Sequence, residues 1–218
     1  MKFPLVLYLA MWSQALPLAA AALTRRRLGG ARAWLLAWCA LGLAADLLSI
    51  WMSAIFHREN IWVRYLLSPV QAAITLWALS CLQVGARTRI TLRFGVAAML
   101  IAGFTLTATL EDTASFSRIA EPITFLLLLA AIASTLVALG ARESGDLFQR
   151  DWFWFTSGLA LYFGSLAAIG PVSSLLQHSL RYFLLAYQAR GCLQIVAMAA
   201  IAWGMVLPPA PARATSEA

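Results

Sequence analysis

Apolar residues along this chain come in long runs separated by short polar segments. Seven runs, at 4–23, 34–56, 61–83, 94–110, 122–141, 152–175 and 182–206, are long enough to span about 30 Å of hydrocarbon at roughly 1.5 Å of helical rise per residue. The pattern predicts an all-α integral membrane protein, a seven-transmembrane-helix bundle. The connections TRRRLGGAR, HREN, GARTRITLR, EDTASFSRIAE, ARESGDLFQRD and QHSLR cannot hold a second domain, so residues 1–207 are expected to form one transmembrane domain. Residues 208–218, rich in Pro and Ala, are expected to form a disordered tail. The first run, with Lys2 before it and alanines at its end, has the outline of a signal peptide. It continues for about twenty residues, however, and stops at Arg25-Arg26-Arg27, so it is read as a helix with a cytoplasmic anchor.

Composition supports lipid as the solvent. The chain is 62% hydrophobic and 11% charged, with a mean hydropathy of +0.79, whereas soluble domains carry about 25% charged residues. Trp34, Trp62, Trp152 and Trp154 fall near predicted helix ends, where indoles favour the membrane interface.

The net charge of +7 would suggest nucleic acid for a soluble chain, but here the arginines sit in short loops between apolar runs. Topology explains them better, and no nucleic-acid partner is expected. The first, third and fifth loops and the tail hold Arg25, Arg26, Arg27, Arg32, Arg87, Arg89, Arg93, Arg142, Arg150 and Arg213; the other side holds Lys2, Arg58, Arg64, Arg118 and Arg181. Ten against five places the N-terminus outside and the C-terminus in the cytoplasm. The acidic loop with Glu111, Asp112 and Glu121 then faces out. Abundant Ala, Leu and Arg match a GC-rich bacterial genome, so a multi-pass protein of the bacterial cytoplasmic membrane is expected.

One internal similarity organises the helices. RYLLSPVQA (Arg64 to Ala72) and RYFLLAYQA (Arg181 to Ala189) share Arg, Tyr, Leu, Gln and Ala in register, 117 residues apart. Helices one and five align loosely around Pro4 and Pro122. Both triplets start on the same side, which fits a 3+1+3 parallel repeat of the kind some transporters use.

Polar groups at mid-depth are costly in hydrocarbon and mark candidate sites. Asp46 on helix two and Arg190 on helix seven are expected to face the interior and interact. Tyr187, Arg190 and Gln194 recur at three- and four-residue steps and so share a face. With Gln71 and its repeat partner Gln188 they make a midplane ligand-binding set: Asp46, Gln71, Tyr187, Gln188, Arg190 and Gln194. Gln14, Thr105, Thr107 and Ser165 lie at comparable depth. An outer rim is formed by His57, Glu59, Arg64, His178 and Arg181, with histidines open to protonation. Among the prolines at 17, 69, 122 and 171, Pro69 and Pro171 are placed to kink their helices and free carbonyls toward a cavity.

Specific chemistries lack their parts. The helix number and orientation resemble those of microbial rhodopsins, but a retinal Schiff base needs a lysine in the last helix, and the only lysine is Lys2. No HExxH, GxSxG or Gly-rich phosphate loop occurs. Cys39, Cys81 and Cys192 share no metal-ligand spacing and read as small packing residues. The expectation is a non-enzymatic membrane protein without metal or cofactor, an accessory or sensory subunit packed against membrane partners. The alternatives are a small-solute transporter with a midplane polar site and a membrane-embedded lipid-modifying enzyme.

Overall fold

The computed structural model describes residues 5–24, 28–56, 61–110, 117, 119–143, 145–176 and 179–208, with side chains except at 54–56, 61, 64, 110, 170–176 and 180. Among these residues the chain is helical throughout, without strands: α1 (Leu5–Ser13), α2 (Ala15–Thr24), α3 (Ala31–Phe56), α4 (Ile61–Leu82), α5 (Ala86–Leu110), α6 (Ala120–Gly140), α7 (Asp151–Leu176) and α8 (Leu180–Val206), with one 3₁₀ turn at Leu147–Gln149. Taken together, α1 and α2 make the first of seven segments long and apolar enough to cross a membrane, as a multi-pass membrane protein requires.

Two boundaries depart from the sequence expectation. The fourth run starts at Ala86 rather than 94, so Arg87, Arg89 and Arg93 ride on the first turns of α5 and not in a loop. There Arg89 Nη2 donates to the Gln83 carbonyl at 2.9 Å, and the Arg93 guanidinium lies 5.1 Å from the Trp77 ring centroid. The first run, expected as one helix, is broken at Gln14.

Pro17 explains the break. It has no amide hydrogen for the Ser13 carbonyl, and its ring crowds that carbonyl. The Gln14 amide donates at 3.3 Å to Met11, three residues back instead of four. The Ala10 carbonyl, which a continuous helix would pair with Gln14, accepts instead from Ser13 Oγ at 2.6 Å and from Gln194 Nε2 of α8 at 2.9 Å. Side chains thus satisfy the Ala10 carbonyl that the break left without its helical partner. Pro69, by contrast, sits inside an unbroken α4, with its ring buried against Gly103 of α5. The side chain of Pro171 lies outside the described residues.

Six spans close into a ring: α1–α2, α3, α4, α6, α7 and α8, each packed on the next, with α8 returning to α1 and α2. The seventh, α5, stands outside against α4 and more lightly α6, and almost none of it is buried. Its exposed Phe94 and Ile101 resemble the apolar outer faces elsewhere in the ring, such as Val137 of α6. Water cannot solvate such surfaces cheaply, and lipid can.

In lipid, helices associate through close packing rather than apolar burial. The α7–α8 contact shows this. A Cβ on Gly158 would lie 2.6 Å from Ile201 Cγ1 and 2.8 Å from the Ala197 carbonyl oxygen; one on Gly204 would lie 2.6 Å from Phe155 Cε1. Glycine at these positions lets the two helices approach to backbone contact.

Among the described residues, the ring interior is packed most tightly toward one end. Toward the end that holds Thr24, Asp151 and Val206, here termed the C-terminal end, Trp38, Leu79, Ile132, Phe155, Leu159 and Ile201 form a dry plug. A buried ion pair seals it. Arg32 Nη2 lies 2.8 Å from Asp151 Oδ2 and also donates to the Leu207 carbonyl at 2.8 Å, while Asp151 Oδ1 accepts from the Trp152 amide. Both side chains are under a tenth exposed. Arg32 thereby ties the start of α3 to the start of α7 and the end of α8. Arg32, which the sequence pattern places in the first loop, lies instead in α3 at the centre of this clamp.

Candidate functional site

Toward the opposite end the described residues surround a cavity. A chamber of about 300 Å³ lies between α3, α4, α6, α7 and α8 beside the break in the first span. Its polar wall comprises Gln14, Asp46, Gln71, Glu121, Arg190 and Gln194; Phe125, Phe163 and Leu166 supply the apolar floor over the plug. At about 1.5 Å per residue, Asp46 stands some 15 Å from the Phe56 end of α3, and Arg190 some 15 Å from the start of α8, near mid-span in both cases.

The helix break positions the first of these groups. Gln14 projects from the turn between α1 and α2, is nearly fully buried, and donates through Nε2 to Asp46 Oδ2 at 2.6 Å. Gly42, one turn before Asp46, makes the approach possible. A Cβ there would overlap the Gln14 amide and come within 3.2 Å of Gln71 Nε2. The break, a glycine on α3 and an amide on α4 therefore converge around one carboxylate.

A second cavity of about 250 Å³ flanks the chamber between α1, α3 and α8. Asp46, Ser49, Arg190 and Gln194 line both, so these four side chains form the wall between them. Tyr187, Arg190, Gly191 and Gln194 all face the second cavity, as one helical face should, and the Arg190 guanidinium lies 5.9 Å from the Tyr187 ring centroid. On the far side are Leu7, Met11 and Ile50.

Of the midplane set, Asp46, Gln71, Arg190 and Gln194 are thus brought around the chamber, and Tyr187 around the neighbouring cavity. Gln188, half-buried on an adjacent face of α8, is among the lining residues of neither. Gln71 and Gln188, alike in sequence, occupy different surroundings. Thr105 and Thr107 belong to α5 outside the ring, and Ser165 Oγ donates to the Tyr162 carbonyl of its own helix. In the outer rim, Arg181 is exposed at the start of α8; His57, Glu59, His178 and the side chain of Arg64 lie outside the described residues, as does the chain from 209 on.

Two features were not anticipated from sequence. Glu121, assigned to an outer acidic loop, opens α6 and lines the chamber. Its neighbour Pro122, suited to a first helical turn, was the available signal. Trp38 is the other: its indole N–H is buried with no hydrogen-bond partner among the described residues, and its ring stands edge-on to Tyr162 at 4.9 Å, under the chamber floor. Among the described residues, no three His, Cys, Asp or Glu side chains converge as a metal site would need.

Chemically, the chamber offers carboxylates, a guanidinium and carboxamides around a volume suited to a small solute. No protein-family model, curated protein or solved structure matches this chain.

Proposed function

We propose that this protein is a non-enzymatic small-solute transporter of the bacterial cytoplasmic membrane, with the chamber around Asp46 and Arg190 as its binding site. The single observation that carries the reading is that chamber, lined by Asp46, Glu121 and Arg190. Interior charge in a membrane bundle is costly unless it is used, and a packing role alone would not leave a chamber of about 300 Å³ beside it.

Two further observations support it. Ring order α1–α2, α3, α4, α6, α7, α8 maps onto itself when rotated by three places, pairing the first three spans with the last three and leaving α5 as the linker. A 3+1+3 parallel repeat about an axis along the membrane normal would produce that order. The break at Gln14, with the Ala10 carbonyl accepting from Gln194, is also the kind of interrupted helix that builds midplane sites in transporters. With the N-terminus outside and the C-terminus in the cytoplasm, as the arginine distribution favours, the chamber lies in the outer half and the Arg32–Asp151 clamp closes the inner end.

The test is uptake into proteoliposomes from a panel of labelled small zwitterions and polyols. Asp46→Asn and Arg190→Ala are expected to cut uptake of an accepted solute at least about tenfold, with melting temperatures close to wild type. Uptake that ignores both substitutions overturns the site. A second reading, a sensory subunit that binds without translocating, is favoured by the glycine-tight α7–α8 contact beneath the chamber. Saturable binding without uptake would select it.

A further inference from the structure

The second cavity bears on what the solute is. It lies between α1, α3 and α8, where α1 packs mainly on α8 and only lightly on α3. Its inner wall is polar, formed by Asp46, Ser49, Arg190 and Gln194, which it shares with the chamber. Its outer rim is apolar: Leu7 and Met11 are partly exposed, and Ile50 is 47% exposed on the outside of the ring. A water-soluble ion has no use for such a rim, and hydrocarbon has no use for the inner wall. A molecule with both characters satisfies the two surfaces together.

The charges narrow the head of that molecule. Asp46 and Glu121 line the chamber with Arg190, so carboxylates and a guanidinium surround one small volume. A solute carrying a cationic and an anionic group can answer both signs, whereas a simple anion would meet two carboxylates and a simple cation the guanidinium.

We propose that the solute is a zwitterionic amphiphile, whose head enters the chamber against Asp46, Glu121 and Arg190 while its hydrocarbon chain lies in the groove of Leu7, Met11 and Ile50. Lateral access between α1 and α3 then replaces access from water. The inference rests on the chamber being a solute site, and the experiment separates the two.

Binding is measured on amphipol-held protein with two probes that share a head: glycerophosphoethanolamine, which has no chain, and lysophosphatidylethanolamine, which has one. The chained probe is expected to bind at least about 100-fold more tightly, a gain that roughly four buried methylenes suffice to produce. Ile50→Trp and, independently, Leu7→Trp fill the groove from its exposed rim, where folding is least affected. Each should bring the chained probe to within about threefold of the chainless one and leave the latter unchanged. Arg190→Ala and Asp46→Asn should weaken both probes about tenfold or more. Equal wild-type affinities, or a chain gain that survives both tryptophans, overturns the amphiphile and leaves the chamber standing. Chain-dependent binding indifferent to Arg190→Ala and Asp46→Asn overturns the chamber itself. If neither probe binds, the zwitterionic class is wrong.

Discussion

Arg32→Met should destabilise the bundle severely, and replacing its partner as well should restore most of the loss. Arg32 Nη2 and Asp151 Oδ2 are 2.8 Å apart with both side chains under a tenth exposed, so water cannot step in when one is removed. Truncating one member of a buried pair typically costs about 3–5 kcal/mol, because the other charge stays buried without its counter-ion. The same magnitude is expected for Asp151→Leu. An apolar pair in the same space removes both desolvation terms, so the Arg32→Met/Asp151→Leu double variant should fall within about 2 kcal/mol of wild type. The lost donor to the Leu207 carbonyl, at 2.8 Å, accounts for about 1 kcal/mol of that remainder. Unfolding equilibria in mixed micelles for the four proteins give the coupling energy directly, and at least about 2 kcal/mol is expected. Single effects that add to within about 0.5 kcal/mol would refute the clamp as an energetic unit.

Three other substitutions probe different parts of the same architecture. Gly42→Ala should push the Gln14 amide off Asp46, whose hydrogen bond is 2.6 Å, and lower solute binding about tenfold, while costing little stability because a side-chain end can move; titration of the purified variant checks both. Pro17→Ala should heal the helix break, restoring the amide that the Ser13 carbonyl lacks; the variant is expected to melt higher and bind less, and a lower melting temperature would contradict the origin assigned to the break. Gly158→Ala should cost about 1–3 kcal/mol, since its Cβ meets the Ala197 backbone at 2.8 Å, whereas Gly164→Ala, with its nearest neighbour 4.0 Å away, should be close to neutral in the same unfolding assay.

Legibility in the sequence followed the physics of each feature. An apolar run of twenty residues has one stable form in lipid, so the helices could be read directly. A polar group at mid-depth only favours an inward position: Asp46, Gln71, Arg190 and Gln194 line the chamber, whereas Thr105, Thr107 and Gln188 line neither cavity. Charges near a helix end obey no such rule. Arg32 and Asp151 look like solvated loop residues because only the tertiary packing of α3, α7 and α8 decides that water is excluded there. Glu121 was misplaced for the same reason. Pro17 was visible, but its consequence depends on Gln194, 184 residues beyond Ala10 in the chain, being in place to donate to the freed Ala10 carbonyl.

What separates the two polar centres is therefore the company they keep, not their composition. Arg32 and Asp151 are tied by direct hydrogen bonds at the end of the seam where α7 and α8 meet closely through Gly158 and Gly204. Asp46 and Arg190 sit beside the interruption of the first span, where Gly42 admits a side chain from outside α3, and both line a cavity. The same bundle thus contains an ion pair packed into a helix seam and charged side chains that line a cavity. The glycines and the proline, rather than the charges, decide which is which.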